Sequence, residues 1–277
     1  MSRMIIFPFL ILAGILFYCL YVLEMEFLSI YLVPCVVIPV GVTIFAPQID
    51  WWWMKKHPPK MPVELKHFLL EHNEFYANLK PIHKKKFEGR VLLYMWAREF
   101  IPKEIEKVPD DIRMICAQYA VQLSLNQSDY LLGDNDRVVM YKHPFISPRY
   151  PSIFHGSEYY AEDGVLIFSL DRILPGFIEP TLYFPAAAYE YAKLYLHLKP
   201  DESPTSLQID EFRSKMGLMG FQELYVKEFL AIPDIDWAAV SLVYYFIFNE
   251  SFKTNMPTLE QYFADIFQPK IQLSKVL

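Results

Sequence analysis

Two stretches near the N-terminus limit what this chain can fold into. Met4 to Leu23 and Phe27 to Ala46 are each twenty residues without a charged side chain. At about 1.5 Å of rise per helical residue, each is long enough to cross a hydrocarbon core of ~30 Å. Only Glu24-Met25-Glu26 separates them, a break too short for anything but a tight turn. The reading is a transmembrane helical hairpin over residues 1–50, with spans at about 4–23 and 27–46. A cleaved signal peptide fits the first run poorly. The run is long, lacks a small-residue cleavage site, and leads straight into a second apolar run. Pro8, Pro34 and Pro39 are expected to kink or shorten the spans.

The flanks give an orientation. Arg3 precedes the first run, acidic residues fill the turn, and Lys55, Lys56 and Lys60 follow the second. The positive-inside rule then puts both termini and the soluble portion in the cytoplasm, at a bacterial-type inner (plasma) membrane. Residues 51–62 read as an interfacial linker. Trp51, Trp52 and Trp53, with Lys55 and Lys56, sit where indole rings favour the headgroup layer, which makes the bilayer itself a partner. A buried core cluster is the competing reading for the three tryptophans. His57-Pro58-Pro59-Lys60-Met61-Pro62 is a stiff spacer. Gly14 and Ser29 leave room for close helix packing within the bilayer.

Composition removes several function classes. A formal net charge of -6 argues against a nucleic-acid partner, which needs a concentrated basic face. Three cysteines, Cys19, Cys35 and Cys116, make no disulfide framework, so the soluble part belongs in a reducing compartment. No phosphate-cradling glycine loop, nucleophile elbow or Cys-x-x-Cys pattern occurs, and no cofactor is expected. The basic run Lys84-Lys85-Lys86 reads as a solvated helix face, with anionic lipid as the alternative contact.

The rest, residues 63–277, reads as one mostly helical domain with a small sheet. A helix from Pro62 to about Leu79 comes first. Val91, Leu92, Met95, Trp96 and Phe100 recur at helical spacing from Phe87 to Phe100. Asp110 and Asp111 then open a helix from Pro109 to Leu125. Arg137–Tyr141 and Gly164–Ser169 read as strands, and the proline- and aromatic-rich stretch from His143 to Glu158 as a loop. Further helices are expected over Tyr183–Leu198, from Asp210 to Leu230, over Asp236–Phe248, and over Thr258–Phe267.

Inside the Tyr183–Leu198 helix lies Tyr189-Glu190-Tyr191-Ala192-Lys193. A zinc-peptidase H-E-x-x-H segment puts two imidazoles at i and i+4 on one helical face, beside a glutamate that activates the metal-bound water. Here the glutamate stands as Glu190, but the ligand positions hold Tyr189 and Lys193. A neutral phenol is a poor zinc ligand and an ammonium cannot be one. Taken alone, Y-E-x-x-K is an ordinary helical string.

The surrounding order of segments resembles zinc-dependent peptidases of the Mlc-titration-factor-A type, a family with a gluzincin-like core. Lys86-Phe87-Glu88-Gly89-Arg90 through Trp96 resembles that family's first helical segment. Asp111-Ile112-Arg113 with Ala117 through Leu123 is similar to its second helix. Val138 to Tyr141 with Pro144-Phe145, then His155-Gly156-Ser157-Glu158 and Gly164 to Ser169, resemble its strand, loop and strand. The helix through Tyr189 stands where the family has H-E-F-A-H, keeping Glu190 and Ala192. Asp236-Trp237-Ala238-Ala239-Val240 through Phe246 is similar to the later E-F-F-A-V helix, whose acidic residue completes the family's metal site. The resemblance covers roughly residues 80 to 267.

The departures decide what the resemblance implies. Both histidine positions are replaced, the later acidic residue is shortened to Asp236, and a second family glutamate falls at Val243. The implied protein is a catalytically inactive, metallopeptidase-like membrane protein acting as a binding or scaffold subunit, with protein partners in a membrane complex and no bound metal. Lys193 is expected to stand in for the lost metal charge by pairing with Glu190 or Asp236. Two other functions fit the residues. One is a membrane-bound hydrolase with a relocated site around Glu190, His197 and either His143 or His155. The other is a lipid-surface module working through the tryptophans and lysines after the second span.

Overall fold

The computed structural model describes residues 1–23 and 25–269. Glu24, in the expected turn, and residues 270–277, at the end of the expected soluble domain, lie outside the described residues. The chain divides into two compact units, Met1–Pro59 and Lys60–Leu277.

In the first unit, helix α1 (Ser2–Val22) carries an exposed apolar surface. The return begins with a short 3-10 stretch, Glu26–Tyr31, and continues as α2 (Leu32–Ile44). Ser2–Val22 and Phe27–Ile44 are both long and apolar enough to cross a membrane. The two helices pack antiparallel as a hairpin, and Cys35 and Pro39 are buried between them. Gly14 and Gly41 face open space, with nothing within 4 Å of an added Cβ, so neither glycine mediates the packing inside the hairpin.

The expected linker, residues 51–62, is helical in its first half, within α3 (Ala46–Lys56), and the boundary between the two units, after Pro59, lies inside it. Pro47 in the first turn suits a helix start, because its missing N–H would be unpaired there anyway. On α3 the i,i+4 spacing lays Lys55 over the Trp51 ring at 5.5 Å, Lys56 over Trp52 at 4.1 Å, and the His57 ring on Trp53 at 4.0 Å. Asp50 closes the base of the hairpin. Its carboxylate accepts from the Ser2 backbone N–H at 2.8 Å and the Ser2 hydroxyl at 2.9 Å, and lies 2.9 Å from the Met1 ammonium. Those bonds, the Ser2 N–H foremost, bring the Asp50 carboxyl down to about 2.

The second unit is mostly helical with a four-stranded sheet, as its patterning predicts. The expected first helix is broken in two, α4 (Val63–His72) and α5 (Glu74–Asn78). Asn73 is the break: its backbone is extended, and its side-chain oxygen accepts from the Tyr76 N–H and so starts a new helix. Helix α6 (Pro81–Ala97) starts earlier than expected, at a proline suited to the first turn. It ends before Phe100, which lies in strand β1 (Glu99–Pro102). Helix α7 (Asp110–Ser124) is close to its expected bounds, and so is β2 (Arg137–Tyr141).

The stretch read as a loop from His143 to Glu158 runs into a strand, β3 (Ser157–Tyr160). A turn leads from it to β4 (Val165–Ser169), with Gly164 at a φ of 61° that a side chain would resist. The sheet order is β1-β2-β4-β3. The pairs β1–β2 and β2–β4 are parallel, whereas β3 runs antiparallel to β4 with Ser157 opposite Phe168 and Tyr159 opposite Leu166.

Helix α8 (Leu170–Ile178), unmarked in the sequence reading, leads to α9 (Ala186–Leu198). The expected helix to Leu230 is two helices, α10 (Ser206–Met219) and α11 (Glu223–Leu230). They are parted at Gly220, where an added Cβ would stand 2.4 Å from the Phe248 ring. Helix α12 (Trp237–Ile247) follows, then α13 (Asn249–Asn255), also unmarked, and α14 (Pro257–Phe267). Helix α9 is buried on nearly every side. It packs against α12, α7 and β3, with Tyr191 stacked on Phe168 of β4 and accepting from the Tyr94 hydroxyl at 3.1 Å.

Candidate functional site

The central residues of α9 are held by bonds to the edge of the sheet and along their own helix. Glu190 has no exposed surface. Its carboxylate accepts from the Ser157 hydroxyl at 2.9 Å, the Tyr159 backbone N–H at 2.9 Å, and the Lys193 ammonium at 2.8 Å. Three donors converge because β3 is an edge strand whose outward N–H groups face α9, and because i,i+3 spacing brings Lys193 back over Glu190. A buried carboxylate without such partners would be costly. This one joins helix to sheet edge.

The pairing expected of Lys193 is thus made with Glu190. Asp236 does something else. Its side chain caps α12 by accepting from the Ala239 N–H at 3.0 Å, and its own N–H donates to the Tyr189 phenol at 3.0 Å. Tyr189 is fully buried, and burial, with the Glu190 charge next to it, pushes its phenol up. The Lys193 ammonium also lies 5.2 Å from the centre of the Tyr189 ring. Tyr189, Glu190, Lys193 and Asp236 therefore do come together, in the fold's centre.

A second pair belongs to the same cluster, and the sequence reading met it only as part of a strand-loop-strand pattern. Glu158, next to the two β3 residues that bond Glu190, is buried and lies 3.2 Å from His155, whose side chain has no exposed surface. His155 is boxed between the rings of Phe145 and Tyr150, at 4.6 and 5.2 Å. Its Nδ1 faces the Ile153 carbonyl at 3.1 Å and its Nε2 faces the Glu158 carboxylate at 3.2 Å. Burial alone would raise the Glu158 carboxyl. The bonds from His155 and Ser147 and the charges of His155 and Lys193 outweigh it and hold the group below the usual carboxylate range. Glu190 with Lys193 and Glu158 with His155 thus form two neighbouring acid–base pairs between α9 and β3.

The other histidines stand elsewhere. His143 is exposed and bonded to Asp171 at 2.7 Å. His197 is exposed on the last turn of α9, with its ring edge-on to Tyr159 at 5.9 Å. Neither bonds to Glu190 among the described residues. No group of three or more histidine, cysteine or acidic side chains able to hold a metal ion occurs among the described residues.

Of the interface candidates, Trp52, Lys55 and Lys56 are exposed on α3, and Trp51 and Trp53 are half-buried. Signals for the buried pair were present in the sequence. An aromatic Tyr159-Tyr160 followed by Ala161-Glu162-Asp163-Gly164 and an apolar strand is a hairpin pattern, and it fixes Glu158 on a strand. No protein-family model matches the chain, and no curated protein matches it either.

Proposed function

We propose that the protein is anchored in an inner membrane by its N-terminal hairpin. In this reading its Lys60–Leu277 unit is a metallopeptidase-like domain without catalysis, facing the cytoplasm and serving as a binding or scaffold subunit of a membrane protein complex. One observation carries this: the Lys193 ammonium sits 2.8 Å from Glu190, where the resemblance would require a metal-bound water. A general base must offer a free lone pair to the proton it removes. Glu190 is fully buried and already accepts from Ser157, Tyr159 and Lys193. Its bonding supports a structural role, and a cation at Lys193 would repel a divalent ion.

The anchoring rests on the two apolar helices and on the tryptophans and lysines of α3. The test uses the full chain in lipid nanodiscs. The expected results are no stoichiometric zinc and no hydrolysis of unfolded protein substrates. In membranes, a cross-linked protein partner should be retained by Glu190→Gln. Peptide hydrolysis that disappears in Glu190→Gln would overturn the proposal in favour of an enzyme.

A further inference from the structure

The proline- and aromatic-rich loop between β2 and β3 is built inside out. Its neck is closed by an antiparallel bridge in which Phe145 and His155 exchange N–H···O bonds, both at 3.0 Å. Between them Ser147 and Tyr150 turn inward and are buried, as His155 is. Two turns fix this arrangement. The Tyr150 N–H donates to the Ser147 carbonyl at 3.1 Å and hydroxyl at 3.2 Å, and the Ile153 N–H donates to the Tyr150 carbonyl at 3.3 Å. Ile146, Ile153 and Phe154 are left on the outside, exposed at 51%, 36% and 69%. Single exposed apolar residues are ordinary, but three held outward by one hydrogen-bonded frame mark a contact surface.

Two features suit this tip to the boundary of a bilayer. The first is its short supply of backbone donors. Pro148 and Pro151 have none, and those of Tyr150 and Ile153 are taken within the loop. Fewer amides then need water when the tip leaves it. The second is charge. Arg149 is the one charged side chain in 146–154, and Lys142 and Arg172 stand at the neck. Arg172 fills the space beside Gly156, where an added Cβ would meet its Cγ at 2.2 Å, and lies 4.9 Å from the Phe229 ring. The nearby acids are Asp171, bonded to His143, and Asp234, 3.4 Å from Arg149. Neither Lys142 nor Arg172 has an acidic partner among the described residues. On a chain of net charge -6, this is a local basic excess of the kind anionic headgroups attract. A bilayer is also always near: residues 57–62, between α3 and α4, span at most about 20 Å.

We propose that the Phe145–His155 loop docks on an anionic bilayer surface, with Ile146, Ile153 and Phe154 entering the headgroup boundary and Lys142 and Arg172 meeting lipid phosphates. The proposal rests on anchoring by the N-terminal hairpin, and its test separates the two. Benzoylphenylalanine, which cross-links to C–H bonds under ultraviolet light, replaces one residue at a time in the full chain. The chain is held in nanodiscs of equal parts phosphatidylcholine and phosphatidylglycerol, and intact mass reads the lipid adduct. The probe in place of Phe154 is expected to give a lipid adduct. In place of Leu207, exposed at 78% on α10, it is expected to give none. Adding Ile153→Asp to the Phe154 probe is expected to abolish its adduct. In place of Ile11, on α1, the probe reports the anchoring by itself. An adduct at Ile11 with none at Phe154 would overturn the loop proposal alone, and no adduct at Ile11 would overturn the anchoring. Equal adducts at Phe154 and Leu207, or an adduct that survives Ile153→Asp, would also overturn the loop proposal. So would a protein adduct in place of the lipid one when the Phe154 probe is photolysed in the membranes of the expressing cells. If Ile153→Asp does not fold, the contrast between Phe154 and Leu207 decides the question.

Discussion

Replacing Lys193 by Met tests the central electrostatic argument. The substitution keeps the length of the side chain and removes its charge. It leaves the Glu190 carboxylate, with no exposed surface, facing only Ser157 and Tyr159. Removing one partner of a buried pair typically destabilises by about 3–5 kcal/mol, because the other charge stays buried and unpaired. Two facts lower that figure here. Glu190 keeps two donors, and the Lys193 side chain is 13% exposed, so water reaches the pair from one side. Loss of the ammonium over the Tyr189 ring adds roughly 0.5–1 kcal/mol back. The expected loss is about 3 kcal/mol, or a fall in Tm of roughly 6–12 °C for a unit of this size. Near-UV circular dichroism of the full chain in nanodiscs, followed through thermal unfolding, measures it. In the double variant Glu190→Gln with Lys193→Met no lone charge remains, and it should recover at least about 1 kcal/mol of the loss. A single variant within 1 kcal/mol of the parent, or a double variant no more stable than the single one, would refute the reasoning.

Other consequences can be measured separately. Because Glu158 is held below its usual range, it contributes stability above the unfolded carboxyl value of about 4.3, and that contribution fades as pH falls through the lower folded value. His155→Gln should therefore flatten the acid limb of a Tm-against-pH curve below about pH 5, and an unchanged limb would count against it. Gly176→Ala puts a Cβ 2.7 Å from the Pro185 Cα and 2.8 Å from the Phe184 carbonyl, rigid backbone in both cases, and should destabilise by about 1–3 kcal/mol. By contrast, Gly14→Ala, with nothing within 4 Å, should be neutral or slightly stabilising in thermal unfolding. Asp50→Ala removes the acceptors of the Ser2 N–H and hydroxyl. Faster hydrogen exchange over residues 2–5, with the rest of α1 unchanged, is the expected signature.

Much of this architecture could be read before the fold was seen, for identifiable reasons. The two apolar runs are long and uninterrupted, and Asp110 with Asp111 marks a helix start, so α1, α2 and α7 follow from composition and capping. Strand β3 was half legible: Tyr159-Tyr160 and the turn to Gly164 mark it, but Ser157 and Glu158 are polar yet buried, and burial of polar residues depends on partners distant in sequence. The breaks at Asn73 and Gly220 are likewise tertiary. Asn73 is held by Gln118 and Gln122, and Gly220 is required by the Phe248 ring. Within the site, the Lys193–Glu190 bond was legible from i,i+3 spacing on one helix. The role of Asp236 as a cap on α12 that also meets Tyr189, and the His155–Glu158 pair, needed the path of the chain between elements.

The two margins of the sheet are defended by different means. Bare strand margins template the pairing of one molecule with the next, and proline or an overlying helix blunts them. On the β1 side, Pro102 has no N–H to offer a neighbour. On the β3 side, a carboxylate from the overlying helix occupies the outward amide of Tyr159, so the strand carries no lysine or proline. The same buried acid that pairs with Lys193 thus closes an edge amide with which the strand of another molecule would otherwise pair.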